Sequence, residues 1–302
     1  MDKRLAFVLS GGGARGALQA GALRALLEAG IRPDMLVGAS AGAINSAYLA
    51  VHGVSLASVE ALAQAWHDAA TGDLLTSNYV WATLSAFFNR SGRGAYQRMR
   101  DFFIEHGLTP ELRFGDLQGV RLVVVAAELN CGCPVLYGTD PQHLVLDAVL
   151  ASAALPPWVP PIEKDGQLLM DGGLISNLPI EPAVTQDATE IITLELSDPR
   201  EVPTEARGWL PLLSKLRNMA ERRQTELELE VAAARGVPVR RIGLQCVSPI
   251  AVWDFQRADE LVSRGYEITR REIDAWQRER RTVWPEWLRR LFRVSVDVGR
   301  ED

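Results

Sequence analysis

The stretch LAFVLSGGGARGALQAGALRALLEAGIRPDMLVGASAG, residues 5–42, decides the fold of this chain. Leu5 to Leu9 is apolar throughout and predicts a buried strand, and Ala14 to Ala29 has the Ala/Leu richness of a helix. Met35 to Ala39 predicts a second strand, and the residues from Ala41 to Val51 predict a second helix. Strands that alternate with helices are typical of a parallel sheet with helical crossovers.

The rest of the chain continues this alternation without an internal repeat. Leu144 to Ala154 predicts a helix that ends before a Pro-Pro pair, and further strands are predicted at Arg121 to Ala127, Leu168 to Met170, Glu190 to Leu196 and Arg241 to Cys246. We therefore predict an α/β fold with three layers, α/β/α, around a mainly parallel central sheet. Residues 74–107 mix polar and aromatic side chains, and they fit either a cover over a site or helices packed at the sheet edge.

Composition excludes some classes of function. The chain has 302 residues and a net charge of -6, with 47% hydrophobic and 23% charged residues, as in an ordinary globular protein. An acidic chain has no global positive field to collect phosphates, so we expect no nucleic-acid partner. The first apolar run is too short for a signal peptide, and no apolar stretch is long enough to span a bilayer.

The chain contains three cysteines, Cys131, Cys133 and Cys246. Without a secretory signal, we expect reduced thiols and a cytoplasmic location. A single C-x-C without a third or fourth ligand nearby is a poor metal site, so we expect no metal and no cofactor.

A serine lies in the motif Gly38-Ala39-Ser40-Ala41-Gly42, between a predicted strand and a predicted helix. A sharp strand-to-helix turn leaves no room for side chains two positions before or after the serine, which explains Gly38 and Gly42. Such a turn exposes the hydroxyl at a helix N-terminus, where free N–H groups favour developing negative charge. Ser40 is therefore a candidate nucleophile.

A glycine-rich loop, residues 11–16 (GGGARG), follows the first predicted strand. It matches the dinucleotide-binding pattern G-x-G-x-x-G, but that site needs an acidic residue after the second strand, where this sequence has only the GAS of residues 38–40. The loop is also not a phosphate-binding P-loop, because no G-K-[ST] follows it. What remains is a run of backbone amides suited to an oxyanion hole, with Gly12 and Gly13 as the predicted donors. Arg15 fits a loop anchor, a group that attracts an anionic substrate, or an ordinary surface arginine in the first turn of a helix.

A candidate base follows a third predicted strand, in Asp171-Gly172-Gly173, although D-G turns are also common in hairpins. The α/β-hydrolase triad runs Ser, acid, His along the chain. None of the histidines follows Asp171, so Ser40, Asp171 and a histidine cannot form this triad in that order. A triad with His143 would need an acid between Ser40 and His143, and Asp140 is too near His143 in sequence to orient it easily. We therefore expect a dyad, in which Asp171 takes the proton of Ser40 directly.

Four ordered motifs, GGGARG (11–16), GASAG (38–42), ASAALPPWVPP (151–161) and DGGLISNLPI (171–180), resemble the signatures of patatin-like phospholipases. The resemblance implies a patatin-like fold, an acyl-enzyme intermediate, and hydrolysis of phospholipid or other lipid esters without a metal. Carried over to this sequence, it implies Ser40 as the nucleophile, Asp171 as the base, Gly38 and Gly42 around the nucleophile, and an oxyanion hole formed by Gly11, Gly12, Gly13, Ala14 and Arg15. Trp158, where phenylalanine is common in the family, and the Cys131-Gly132-Cys133 turn are minor departures.

We predict a catalytic domain at residues 1–275 and a basic C-terminal tail at residues 276–302. In the tail, Trp284, Trp287, Leu288, Leu291 and Phe292 share one helical face, with arginines off that stripe. The tail is a candidate for peripheral contact with the inner membrane face, although a helix packed on the domain explains the stripe slightly better.

Several functions stay open at this point. A lysophospholipase, a general carboxylesterase and an acyltransferase fit the motifs nearly as well as a phospholipase does. A regulator that kept the fold without activity is disfavoured by the intact Ser40, Asp171 and glycine loop, and a nucleotide-binding module fits least. Oligomeric state is not predicted.

Overall fold

The computed structural model describes residues 3–70, 93–197 and 209–282. Within these ranges the strands are β1 (Leu5–Leu9), β2 (Met35–Ala39), β3 (Arg121–Glu128), β4 (Cys133–Tyr137), β5 (Ile162–Lys164), β6 (Gln167–Asp171), β7 (Glu190–Ser197) and β8 (Val239–Gln245). The α-helices are α1 (Ala17–Glu28), α2 (Ala41–His52), α3 (Leu56–Ala69), α4 (Arg93–Glu105), α5 (Val145–Ser152), α6 (Ile180–Thr185), α7 (Trp209–Ala234) and α8 (Ala258–Thr282).

All eight strands form one sheet, hydrogen-bonded in the order β5-β6-β3-β2-β1-β7-β8, with β4 paired to β3. The five strands from β3 to β8 in this order run parallel to their neighbours. β4, β5 and β6 pair in antiparallel fashion beside β3. The mainly parallel sheet predicted from the sequence is therefore confirmed.

The strands are buried on both faces, which is why β1 and β2 are apolar without alternation. Phe7 and Leu9 point into one core, formed with α1, α2 and α3. Ala6 and Val8 point into a second core on the opposite face, formed with α6 and α7. Because successive side chains of a strand face opposite ways, the helices form two layers around the sheet. The three-layer α/β/α architecture is thus confirmed.

Helices α1 and α8 cross at two glycines. A Cβ atom added to Gly21 would lie 1.9 Å from the Val262 carbonyl oxygen, and one added to Gly265 would lie 1.9 Å from the Leu18 carbonyl oxygen. These glycines let the two backbones touch, so α8 closes over the sheet through α1. This contact accounts for the glycines at positions 21 and 265.

Some sequence predictions fall partly or wholly outside the described residues. Of the candidate cover, residues 93–105 form α4, whereas residues 71–92 lie outside the described ranges. The predicted boundary at residue 275 falls within α8, and residues 283–302 of the tail also lie outside the described ranges, so this division stays a prediction. None of the described helices is both long and apolar enough to cross a bilayer.

One cysteine prediction differs from the structure. Cys131 and Cys133 are joined as a disulfide across Gly132, at the tip of the β3–β4 hairpin, where we expected reduced thiols. The hairpin turn brings their Cα atoms to 5.3 Å, which is within disulfide reach. Cys246 is buried.

Candidate active site

The sheet brings Ser40 and Asp171 together although they are distant in sequence. β2 ends with Ala39 opposite Val125 of β3, and β6 ends with Asp171 opposite Ala126, the next residue of β3. β4 pairs with both Val125 and Ala126, so it occupies the other edge of β3. β2 and β6 therefore lie on the same edge of β3 and meet end to end. The residues at their ends are neighbours for this reason.

Ser40 lies in the sharp turn that the sequence predicted. Its φ of 53° and ψ of -124° are unusual for a residue with a side chain. A Cβ atom at Gly38 would lie 2.3 Å from the Gly42 carbonyl oxygen, and one at Gly42 would lie 2.1 Å from the Leu9 carbonyl oxygen. The turn is therefore possible only with glycines at both positions.

A buried serine holds this turn from behind. The backbone N–H of Ser40 donates to Ser152 Oγ at 2.9 Å, and the Ser152 hydroxyl donates to the Val125 carbonyl oxygen at 2.6 Å. Ser152 is fully buried at the end of α5. Ser152 belongs to the third motif, and no local sequence pattern gives it a role at the active site. Its contact to Ser40 depends on how α5 packs against β3, which periodicity does not reveal.

The side chains of Ser40 and Asp171 are hydrogen-bonded. The Ser40 hydroxyl donates to Asp171 Oδ2 at 2.6 Å, within the range of a short bond to a carboxylate. Asp171 Oδ1 accepts the Gly173 N–H at 2.8 Å. The Asp171 backbone N–H donates to the Ala154 carbonyl oxygen at 2.9 Å. Asp171 is 4% exposed, so its carboxylate is fixed in place and aimed at the serine.

The glycine loop beside Ser40 presents two unused backbone donors. Gly11 N–H donates to the Asn177 carbonyl oxygen, and Ala14 N–H donates to that of Val252, at 3.0 and 2.8 Å. Within the described part of the chain, the N–H groups of Gly12 and Gly13 donate to no acceptor. The five predicted oxyanion residues thus divide: Gly12 and Gly13 keep donors available, whereas the amides of Gly11 and Ala14 hold the loop.

Arg15 anchors this loop from inside. Its Nε donates to the Gly12 carbonyl oxygen at 3.1 Å, and the residue is only 5% exposed. The alternative of an ordinary surface arginine is therefore wrong. Fixing the Gly12 carbonyl also fixes the peptide plane that carries the Gly13 N–H, because the peptide unit is planar.

Two cavities meet at Ser40 and Asp171. One is almost wholly apolar and extends between α2, α3 and α4, with a lining that includes Ile44, Tyr48, Leu62, Trp66, Met99 and Phe103. The other is a more polar cleft along the glycine loop, lined by Arg15, Asn177, Glu221 and Leu174 among others. The serine therefore lies between an almost wholly apolar chamber and a more polar cleft. Asn177 lies in the fourth motif, but the sequence analysis gave it no role.

A buried glutamate holds the loop that follows Asp171. Glu228 on α7 accepts the Ser176 hydroxyl at 2.5 Å and the Ile180 N–H at 2.6 Å, and it also accepts the Glu181 N–H. Burial raises the pKa of the Glu228 carboxyl, and these donated hydrogen bonds oppose the rise. Gln224, one turn earlier on α7, accepts the Asn177 N–H at 3.2 Å.

The histidines have partners other than Ser40. These partners are the His106 carbonyl oxygen for His52, Asp259 for His67, the Phe102 carbonyl oxygen and Asp68 for His106, and the Gly138 N–H for His143. Among the described residues, no group of three or more His, Cys, Asp or Glu side chains could hold a metal ion.

A serine in a strained strand-to-helix turn, a buried carboxylate on its hydroxyl and open amides beside it are the arrangement that serine hydrolases use. The family model for patatin-like phospholipases matches residues 7–184, which is more than half of the chain. The chain belongs to the patatin-like phospholipase family, as its four motifs predicted. This family is one of lipid hydrolases.

Curated relatives agree with this assignment. The chain is 29% identical to mouse patatin-like phospholipase domain-containing protein 7 over 91% of its own length and 21% of that protein. It is 30% identical to an NTE family protein of Mycobacterium tuberculosis, over 90% of the chain and 47% of the relative. The chain thus spans less than half the length of these relatives. Among solved structures, VipD from Legionella pneumophila matches with a TM-score of 0.49 and 16% identity, over 91% of this chain and 67% of that one.

Proposed function

We propose that this protein hydrolyses the acyl ester bonds of lipids, phospholipids or lysophospholipids, through a Ser40–Asp171 dyad and an acyl-enzyme intermediate. The observation that carries the proposal is the 2.6 Å hydrogen bond from Ser40 Oγ to Asp171 Oδ2, at the junction of an apolar cavity and a polar cleft. Family membership supports the same reaction class.

In the first half of the proposed reaction, Ser40 Oγ attacks the ester carbonyl carbon while its proton passes to Asp171 Oδ2. The carbonyl oxygen becomes an oxyanion, and the N–H groups of Gly12 and Gly13 donate to it. Asp171 returns the proton to the leaving alcohol as the C–O bond breaks, and the acyl group stays on Ser40. In the second half, water attacks this ester, Asp171 takes the water proton and returns it to Ser40, and the free acid departs.

The two cavities support a lipid rather than a small polar ester as substrate. An acyl chain that fills the apolar cavity would be removed from water along its length. Each buried CH₂ group would then contribute about 0.8 kcal/mol of favourable free energy to binding. The polar cleft, with Arg15, Asn177 and Glu221 in its lining, is suited to the alcohol part of the ester. A general carboxylesterase would gain much less binding free energy from a long acyl chain. A steep rise of kcat/KM with acyl-chain length would therefore distinguish a lipid hydrolase from a general carboxylesterase.

The test is to incubate the wild type, Ser40→Ala and Asp171→Asn with a mixed phospholipid and lysophospholipid extract and to quantify products by mass spectrometry. We expect the wild type to release fatty acid and the matching lyso- or deacylated product. We expect Ser40→Ala to release none, and Asp171→Asn to be slower by at least about a hundredfold, the usual scale of general-base contributions.

Other outcomes are informative. Acyl groups that appear on an added alcohol instead of as free acid would assign the protein to the acyltransferases. Fatty-acid release by Ser40→Ala at the wild-type rate would overturn the proposal. The cytoplasmic location, the membrane contact of the tail and the absence of a nucleic-acid partner stay predictions.

A further inference from the structure

A buried polar chain connects helices α1, α2 and α3 beneath the active site. The Trp66 indole N–H donates to Asn45 Oδ1 at 2.8 Å. Asn45 Nδ2 donates to Gln19 Oε1 at 2.9 Å and to the Gly16 carbonyl oxygen at 3.0 Å. Gln19 Nε2 donates to the Ser10 carbonyl oxygen at 2.9 Å. The chain thus runs from Trp66 to Ser10 and Gly16.

The two ends of this chain bracket the glycine loop. Ser10 is the residue before Gly11, and Gly16 is the residue after Arg15. Ser10 is also fixed to β7, because its hydroxyl accepts the Leu196 N–H at 2.8 Å and Gln19 Nε2 also donates to the Leu194 carbonyl oxygen at 3.1 Å. Both the entry and the exit of the loop are therefore held by side-chain amides.

Every polar atom of the two amide side chains is hydrogen-bonded. Asn45 and Gln19 are 0% exposed, each amide nitrogen donates twice, and each amide oxygen accepts once. A fully satisfied buried network has one preferred arrangement and resists displacement. None of these hydrogen bonds goes to Ser40 or Asp171, so hydrogen bonding to the dyad does not account for the burial of the two amides.

Trp66 ties this network to the apolar cavity. Its indole lines the cavity, and its ring stacks on Phe255 with centroids 6.1 Å apart. It also packs on the exit of the glycine loop, because a Cβ atom at Gly16 would lie 2.5 Å from Trp66 Cζ2. One side chain thus touches the space for the acyl chain and, through Asn45, the loop that receives the oxyanion.

We propose that Trp66, Asn45 and Gln19 are positioning residues that hold both ends of the glycine loop and tie its geometry to the cavity wall that the acyl chain contacts. This inference rests on the proposed hydrolase function. A chain seated against Trp66 fixes the indole, and the indole N–H fixes Asn45. The contact between a long acyl chain and Trp66 therefore both binds the ester and raises kcat.

The test compares two substitutions in the same cavity wall. Trp66→Phe keeps an aromatic ring but removes the N–H, whereas Phe255→Leu reduces the stacking partner and leaves the polar chain intact. For a long-chain ester we expect Trp66→Phe to lower kcat by about tenfold to a hundredfold, up to the roughly hundredfold loss that a misplacement of about 1 Å can cause. We expect its KM to stay within about threefold, whereas Phe255→Leu, which keeps the indole N–H on Asn45, should raise KM more than it lowers kcat.

Two further measurements complete the test. Asn45→Ser should reproduce the kcat loss, and the wild-type advantage in kcat of long-chain over short-chain esters should shrink in Trp66→Phe. Wild-type kcat in both Trp66→Phe and Asn45→Ser would overturn the inference, and so would unfolding of both variants, since the network would then serve general stability. Ser40→Ala distinguishes failure of the proposed hydrolase function from failure of this inference. If Ser40→Ala is inactive while Trp66→Phe has wild-type activity, only the inference about the Trp66 network fails.

Discussion

Removal of the Ser152 hydroxyl tests whether the turn at Ser40 is held from behind. In Ser152→Ala, the Ser40 N–H loses its acceptor and the Val125 carbonyl oxygen loses its donor, at contacts of 2.9 and 2.6 Å. Val125 is fully buried, so its carbonyl has no ready access to water. The perturbation leaves the Ser40 side chain and Asp171 chemically unchanged.

The expected magnitude follows from these two contacts. A typical hydrogen bond contributes about 0.5–1.5 kcal/mol, and leaving a buried partner unpaired costs about 1–3 kcal/mol. The N–H of the half-buried Ser40 can replace part of its lost hydrogen bond with one to water. We therefore expect the free energy of unfolding to fall by about 2–3 kcal/mol. Because Ser40 is in a strained conformation, it should also relax, and kcat should fall by about tenfold to a hundredfold.

Ser46→Ala is the matched control. Ser46 is also a fully buried helical serine, but within the described part of the chain its hydroxyl has no hydrogen-bond partner. Because its removal breaks no hydrogen bond and takes away an unpaired buried hydroxyl, it should not lower the free energy of unfolding, and kcat should be unchanged. The assays are urea unfolding and hydrolysis of a soluble ester, with rates normalised to the folded fraction. A Ser152→Ala variant with wild-type kcat would refute the role of Ser152.

Three further predictions concern the turn, a buried carboxyl and metal dependence. Gly42→Ala should destabilise the fold by at least about 2 kcal/mol, because its methyl group would meet the Leu9 carbonyl oxygen, whereas Gly243→Ala, with open space around the new Cβ, should be neutral in the same unfolding assay. A raised pKa means that folded Glu228 binds its proton more tightly than the unfolded chain does. The wild type should therefore lose stability relative to Glu228→Gln as pH rises from about 4.5 through the raised pKa, and parallel pH profiles in urea unfolding would contradict this. Hydrolysis of a soluble ester should persist in EDTA, and loss of activity restored by one particular metal would contradict it.

The sequence was sufficient for the features that local patterns determine. Apolar runs bounded by glycine predicted β1 and β2, and the small residues around Ser40 predicted a turn that tolerates no side chain at Gly38 or Gly42. The three-layer fold followed from the alternation of strands and helices, and the family from the order of the four motifs along the chain; both are confirmed.

The remaining features depend on contacts between distant segments. The sequence predicted a strand near residue 170, but not that β6 runs antiparallel and meets β2 end to end on β3. It also gave no reason to connect Ser152 with Ser40, or Asn45 with the glycine loop, because these pairs meet only when helices pack on the sheet. The antiparallel strands β4 and β5 were missed, since both are short and partly exposed.

The central claim is that Ser40 is the nucleophile, and covalent capture by a fluorophosphonate tests it most directly. The wild type, Ser40→Ala and Ser46→Ala are each treated with the reagent, and the adduct is located by peptide mapping in a mass spectrometer. We predict one adduct per chain, on Ser40, in the wild type and in Ser46→Ala, and none in Ser40→Ala. An adduct at another residue of the wild type, or undiminished labelling of Ser40→Ala, would contradict the account.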